Sequence, residues 1–191
     1  MGNSTWDNAL DPFPNARGAA FNTFTTAKDV SPVPLPVVFG NELRVGSKIE
    51  LEARGEYSTT GTPTFRLGFH YGNAAGATLA ANSEIAGSAL AATGSGAAAW
   101  PWHLHYRGVV TAVGTGGVMY GHGILDLGTS LTTYAAGLAI PVTAAARSRT
   151  SFDTTIQKTF GVFAEFGTSS ASNQVIVDVF TAKVNNQGKT A

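Results

Sequence analysis

Hydrophobic and polar positions alternate along much of this chain, most regularly in Ser47–Tyr57 and Thr64–Tyr71. In the first run Ile49, Leu51, Ala53, Gly55 and Tyr57 share one side, opposite Lys48, Glu50, Glu52, Arg54 and Glu56. In the second, Phe65, Leu67, Phe69 and Tyr71 oppose Thr64, Arg66, Gly68 and His70. Side chains on a strand point alternately to its two faces, so each run predicts a half-buried β-strand. The intervening Ser-Thr-Thr-Gly-Thr-Pro is rich in turn formers. It predicts a hairpin of an antiparallel sheet, one face toward a core and one toward water. Alternation returns in Trp100–Gly114, where Trp102, Leu104 and Tyr106 oppose His103, His105 and Arg107. Gly117–Gly128, Thr150–Ile156, Lys158–Gly167 and Gln174–Val184 each read as further strands, with Thr-Ser-Ser-Ala-Ser-Asn a hairpin loop between the last two.

The remaining segments carry less pattern. Residues 1–20 are polar, contain prolines and read as an arm. Residues 21–30 supply a short strand anchored by Phe21 and Phe24. Ser-Pro-Val-Pro-Leu-Pro at 31–36 forbids a helix and suits an extended edge or crossover, because proline has no ladder donor. Asn73–Ala99, rich in Ala, Gly, Ser and Thr, is open among a long loop, a short helix around Leu79–Leu90 and an excursion bound at an interface. Leu131–Ala146 is ambiguous. The count is roughly eight strands, which predicts an all-β fold: a jelly-roll-like antiparallel β-sandwich, with another sandwich as the alternative. The expected layout is an irregular N-terminal arm and Pro-rich lead-in over 1–40, the sandwich over 41–184 and a polar tail over 185–191.

The last two strands carry apolar residues on both faces. Phe160, Val162 and Phe166 oppose Phe163, and Val175, Val177 and Val179 oppose Ile176 and Phe180. A two-faced apolar strand is central in a sandwich or faces a neighbouring subunit. This pattern nominates Phe163, Ile176 and Phe180 as an oligomer interface.

Composition narrows the function. Charged residues make up 13% of the 191, against roughly 25% in an ordinary soluble domain. Such a surface suits packing against copies of itself or a large assembly. Lys and Arg total 12 and Asp and Glu total 12, so no large basic field recommends nucleic acid as a partner. There is no cysteine, which removes disulfides and thiolate metal sites. The first residues lack the basic and apolar regions of a signal peptide, and no apolar run approaches about 18 residues, so no membrane association is expected.

Candidate chemistry is sparse. His103 and His105 share a face, and His70 and His122 would complete a metal set only if the sheet aligned them. The polar-stripe reading is preferred, and no metal or other cofactor is expected. Glu50, Glu52 and Glu56 alternate with Lys48 and Arg54 as a solvated strand face. No G-x-S-x-G elbow or P-loop is present, and Gly114-Thr115-Gly116-Gly117 reads as a turn. No catalytic residue is nominated. Trp100 and Trp102 are weighed as a sugar-stacking platform against a core role for Trp102 and a sealing role for Trp100, and the packing role is preferred.

The phrases LRVGSKIELEARGEYSTTGTPTFRLGFHYG, WPWHLHYRGVVTAVG, GHGILDLGTS and FGTSSASNQVIV, in that order, resemble a family of tailed-phage virion proteins from phages of actinobacteria. Its members are described as minor capsid, head decoration or minor tail proteins. The resemblance spans roughly residues 41–182. It implies a non-enzymatic structural protein made in the host cytoplasm and placed on the virion exterior. Its implied partners are two further copies of itself in a homotrimer and the major capsid protein lattice. The alternative is a tail-tip or fibre head domain binding a host-surface glycan.

Overall fold

The computed structural model describes residues 5–9, 17–33, 35–72, 76–80, 83–135, 137–143, 145–149 and 152–187. Among these the fold is built from strands: β1 (Thr5–Ala9), β2 (Phe21–Asn22), β3 (Lys28–Asp29), β4 (Val37–Val38), β5 (Lys48–Ser58), β6 (Thr64–Tyr71), β7 (Glu84–Gly87), β8 (Ala91–Ala92), β9 (Trp100–Ala112), β10 (Val118–Leu127), β11 (Leu138–Ile140), β12 (Ser148–Arg149), β13 (Lys158–Phe166) and β14 (Gln174–Gln187). One 3-10 turn, Ala145–Arg147, precedes β12, and no α-helix occurs among the described residues. Every ladder is antiparallel.

The strands form two sheets. The front sheet runs β1-β14-β5-β9-β10-β11, with β2 also on β14 and β12 on β10. The back sheet runs β3-β13-β6-β7, with β4 also on β13 and β8 on β6. The pairs β1 with β2, β3 with β4, and β7 with β8 each act as one interrupted strand. The eight core strands then stand in jelly-roll order, four in each sheet. β10, in a hairpin with β9 and with β11 and β12 on its far edge, widens the front sheet beyond that plan.

Between the sheets lies an aromatic core. Ile49, Leu51, Ala53 and Tyr57 of β5 face Phe65, Leu67, Phe69 and Tyr71 of β6, with Trp102, Leu104, Tyr106, Phe160, Val162 and Phe166 completing the layer. Tyr57 stacks on Phe65 with centroids 5.4 Å apart, Phe65 on Phe166 at 4.6 Å, and Phe69 on Phe180 at 6.0 Å. Full burial of one such aromatic stabilises by roughly 1.5–3 kcal/mol, so this layer supplies the main drive to fold.

Several expectations are corrected. β5 and β6 do not pair: β5 lies between β14 and β9, and β6 between β13 and β7. Residues 59–63 arch from one sheet to the other, so the apolar faces of the two strands meet across the core. The connection from β13 to β14 is likewise an arch and not a hairpin loop. Residues 1–40 are not a separate arm in their described part, since β1 to β4 all pair with β13 or β14. Within 73–99 the described residues form β7 and β8 and no helix; 73–75 and 81–82 lie outside the described residues. The strand expected at Thr150–Ile156 is also absent: residues 152–156 are irregular, and 150–151 lie outside the described residues. Phe152 is buried there and donates its N–H to Gly117 O, so side-chain anchoring replaces a ladder.

In β14 a bulge between Val177 and Val179 reverses the alternation. Val175 and Val177 point inward before it, and Phe180, Ala182 and Val184 after it, while Val179 is 43% exposed.

Candidate interaction face and binding pocket

Three loops meet at one end of the sandwich, where β5 starts and β9 gives way to β10. Asn41 N–H donates to Thr154 O at 2.7 Å, and Gly46 N–H donates to Val110 O at 2.8 Å. Gly114 N–H donates to Thr154 Oγ1 at 2.8 Å, while Thr154 N–H donates back to Gly114 O at 3.0 Å. At Gly40 a side chain would collide with the backbone of Thr155 and Ile156, so only glycine lets these loops close. The knitted loops hold up Phe39, Val45, Val113 and Ile156, which are 66%, 62%, 48% and 54% exposed. Four large apolar side chains on tied loops thus stand exposed at this end of the sandwich as an apolar cap.

The outer face of the front sheet carries charged and polar side chains alongside exposed Tyr120, Ile124 and Val179. Register places Arg54 of β5 beside His103 of β9, and His103 beside Asp126 of β10. On β14 the register partner of Arg54 is Val179, and Asp178 is the extra residue of the bulge. Glu52 binds the row from one side: its Oε1 accepts from Arg54 Nη2 at 2.7 Å and lies 3.0 Å from His103 Nε2. The Arg54 guanidinium holds the Glu52 carboxyl below its ordinary value, against the opposing effect of burial, and His103 adds to the lowering. Arg17 bridges Asp178, with Nε 2.7 Å from Oδ1, and Glu56. Above the row lies a pocket of about 520 Å³, bordered by Arg54, Pro101, His103, Asp126, Tyr134 and Asp178.

The histidines do not converge. His103 and His105 share the outer face with ring centroids 5.8 Å apart, and His105 and His122 border a second depression. His70 sits on the other sheet, buried, with Nε2 2.9 Å from Asp29 Oδ2. Ser31 is beside them, and its N–H donates to Asp29 Oδ1 at 2.8 Å. These are the residue types of a hydrolytic triad, but the Ser31 hydroxyl accepts the Val162 N–H at 2.7 Å and all three groups are sealed from solvent. They pin β3 against β6 and β13. No group of three or more His, Cys, Asp or Glu is placed to hold a metal ion among the described residues.

The nominated interface residues scatter. Phe163 and Phe180 are fully buried within the protomer and present nothing to a neighbour, which corrects the interface expectation; Ile176 alone is half-buried. Trp102 is in the core, and half-buried Trp100 packs edge-on against Tyr57, centroids 6.2 Å apart. The two rings form no exposed platform. Tyr134 and Asp126, which do border a pocket, left no mark in the pattern: Tyr134 lies in an irregular loop and Asp126 on the outward phase of β10. Phe39, Val45 and Val113 each directly precede a glycine, as in Phe39-Gly40-Asn41, and that juxtaposition was their only signal.

No family model, curated protein or solved structure matches the chain.

Proposed function

We propose that this chain is a non-enzymatic structural protein of a tailed-phage particle, a capsid decoration protein that docks on the assembled head and stabilises it. The observation that carries the reading is the apolar cap. Phe39, Val45, Val113 and Ile156 are held out on loops tied by backbone hydrogen bonds, at one end of a jelly roll. The order of phrases that resembles actinophage virion proteins supports the same reading. Docking removes the cap from water at little conformational cost, because the loops are already ordered. A protein that binds the lattice and not its dissociated subunits stabilises the lattice by mass action, about 2.7 kcal/mol per site at a hundredfold excess over Kd. A trimer at local threefold positions satisfies closed symmetry on an icosahedral shell.

The glycan-binding alternative through Trp100 and Trp102 loses its support, since Trp102 is inside the fold and Trp100 leans on Tyr57. Co-sedimentation with emptied phage heads and with dissociated capsid protein tests the proposal. Wild-type chain is expected to saturate the heads and ignore the free subunits. The double variant Phe39→Asp, Ile156→Asp should remain folded and lose head binding. Absence of wild-type binding to heads would refute the docking role.

A further inference from the structure

We infer that the pocket on the outer face of the front sheet is a binding site for a neutral saccharide unit. The inference is independent of the capsid reading; Trp102 borders the pocket but is buried and offers no stacking face, and Trp100 does not border it. At about 520 Å³ the pocket falls within the roughly 300–1,000 Å³ common to small-molecule sites. Its floor is rigid, because β5, β9 and β10 are laddered without interruption through Arg54, His103 and Asp126. One wall is formed by residues 128–135. Tyr134 bridges to Gly128, Thr129 N–H donates to Thr133 O at 2.7 Å, and Ala135 N–H donates to Leu127 O at 2.8 Å. Beneath it the Tyr57 hydroxyl donates to Gly128 O at 2.7 Å. At Gly137 a Cβ would stand 3.0 Å from Asp126 Oδ1 and 2.6 Å from Ile124 Cγ2, so glycine lets the loop fold over this edge of the row.

The chemistry of the row selects the ligand. Across β5, β9 and β10 it reads guanidinium, imidazole, acid, as Arg54, His103 and Asp126; on β14 the register partner of Arg54 is Val179, and Asp178, the extra residue of the bulge, adds an acid at the pocket edge. Asp178 is paired with Arg17 and Arg54 with Glu52, so these charges are largely balanced and draw neither a phosphate nor a cation strongly. What remains is a neutral ligand that both donates and accepts. Asp126 is the open acceptor: among the described residues the one basic side chain within 4.0 Å of its carboxylate is His103, with Nδ1 3.9 Å away. Arg54 and His103 are oriented by Glu52 from the side. Tyr134, 49% exposed, offers an aromatic face. A pyranose has the matching groups: an apolar C–H face for Tyr134, hydroxyls that donate to Asp126, and oxygens that accept from Arg54. Neutral hexoses and deoxyhexoses fit this description; sialic and uronic acids, being anions, do not.

The test is a titration of the nitrogen-15-labelled full chain, followed by amide chemical shifts. The probes are D-glucose, D-galactose, D-mannose and L-rhamnose, with inorganic phosphate and the tripeptide Gly-Lys-Gly as the other arms. At least one sugar should give saturable shifts confined to residues 54–55, 102–103, 124–126, 128–135 and 178. Tyr134→Ala and Asp126→Asn should each weaken that binding by about tenfold or more, which corresponds to about 1.4 kcal/mol. Both variants are expected to keep the wild-type melting temperature and spectrum, because neither side chain is part of the core. Absence of saturable sugar shifts, shifts elsewhere, unchanged binding in both variants, or a response to phosphate or peptide alone would each overturn the assignment.

Discussion

Phe163 points out of the sandwich and is nevertheless buried, and its neighbours explain how. It stands opposite Gly68 of β6, and Gly68 stands opposite Gly87 of β7. The ring lies across both glycines; a Cβ at Gly87 would sit 2.7 Å from its Cζ. Arg66 covers it, with the guanidinium carbon 5.0 Å from the ring centroid and ion pairs to Glu84 at 2.8 Å and Glu165 at 2.9 Å. An aromatic laid over strand glycines restores the packing they lack. Phe163→Ala is therefore expected to cost about 3–5 kcal/mol in chemical denaturation and to leave the oligomeric state unchanged. A change of oligomeric state without loss of stability would restore Phe163 to the interface. Tyr57 gives a residue-scale pH prediction. Burial pushes its phenol up from 10 to about 12, and burial raises Tyr106 as well. The folded chain thus retains protons that the unfolded chain releases, so this contribution is complete below pH 10 and is lost as pH rises toward 12. Denaturant midpoints should fall over that interval, with flatter dependence in Tyr57→Phe. Titration of all five tyrosines at the ordinary value in the folded state would contradict this.

Elements were legible in the sequence to the extent that their side chains alternate over several residues. β5, β6, β9, β10, β13 and β14 all appear in the pattern, because each buries one face along most of its length. Their partners do not appear, because alternation says which side chains share a face and not which strand lies alongside. That is why two arches read as hairpins. The two-residue strands β2, β3, β4, β8 and β12 are too short to show a period. The bulge in β14 defeats the pattern differently, since one extra residue exchanges the faces of everything after it. It also assigns opposite fates to adjacent apolar residues. Val179→Ser should change stability by about 0.5 kcal/mol or less, while Phe180→Ala should cost about 3–5 kcal/mol. Equal costs would mean that the register continues without a bulge. For the candidate sites, the sequence exposed the His103/His105 face but not the pocket wall, because the position of Tyr134 depends on how its loop folds back onto Gly128.

Two surfaces of the described residues differ in character, an apolar cap at one end and a polar row on the front sheet. The cap is suited to permanent burial, and the polar row to contact with water or a hydroxylated ligand. Under the proposed docking, with the cap seated on capsid protein, the front sheet would stay exposed. Placing the cap against capsid protein should make particles resist heating and dilution better than particles that lack the chain. The most direct measurement of the central claim is a cryo-electron-microscopy reconstruction of heads saturated with the purified chain. The account predicts ordered density for the jelly roll on the outer surface at local threefold positions, with Phe39, Val45, Val113 and Ile156 against capsid protein. Heads without added density, or a bound chain whose cap faces solvent, would contradict it.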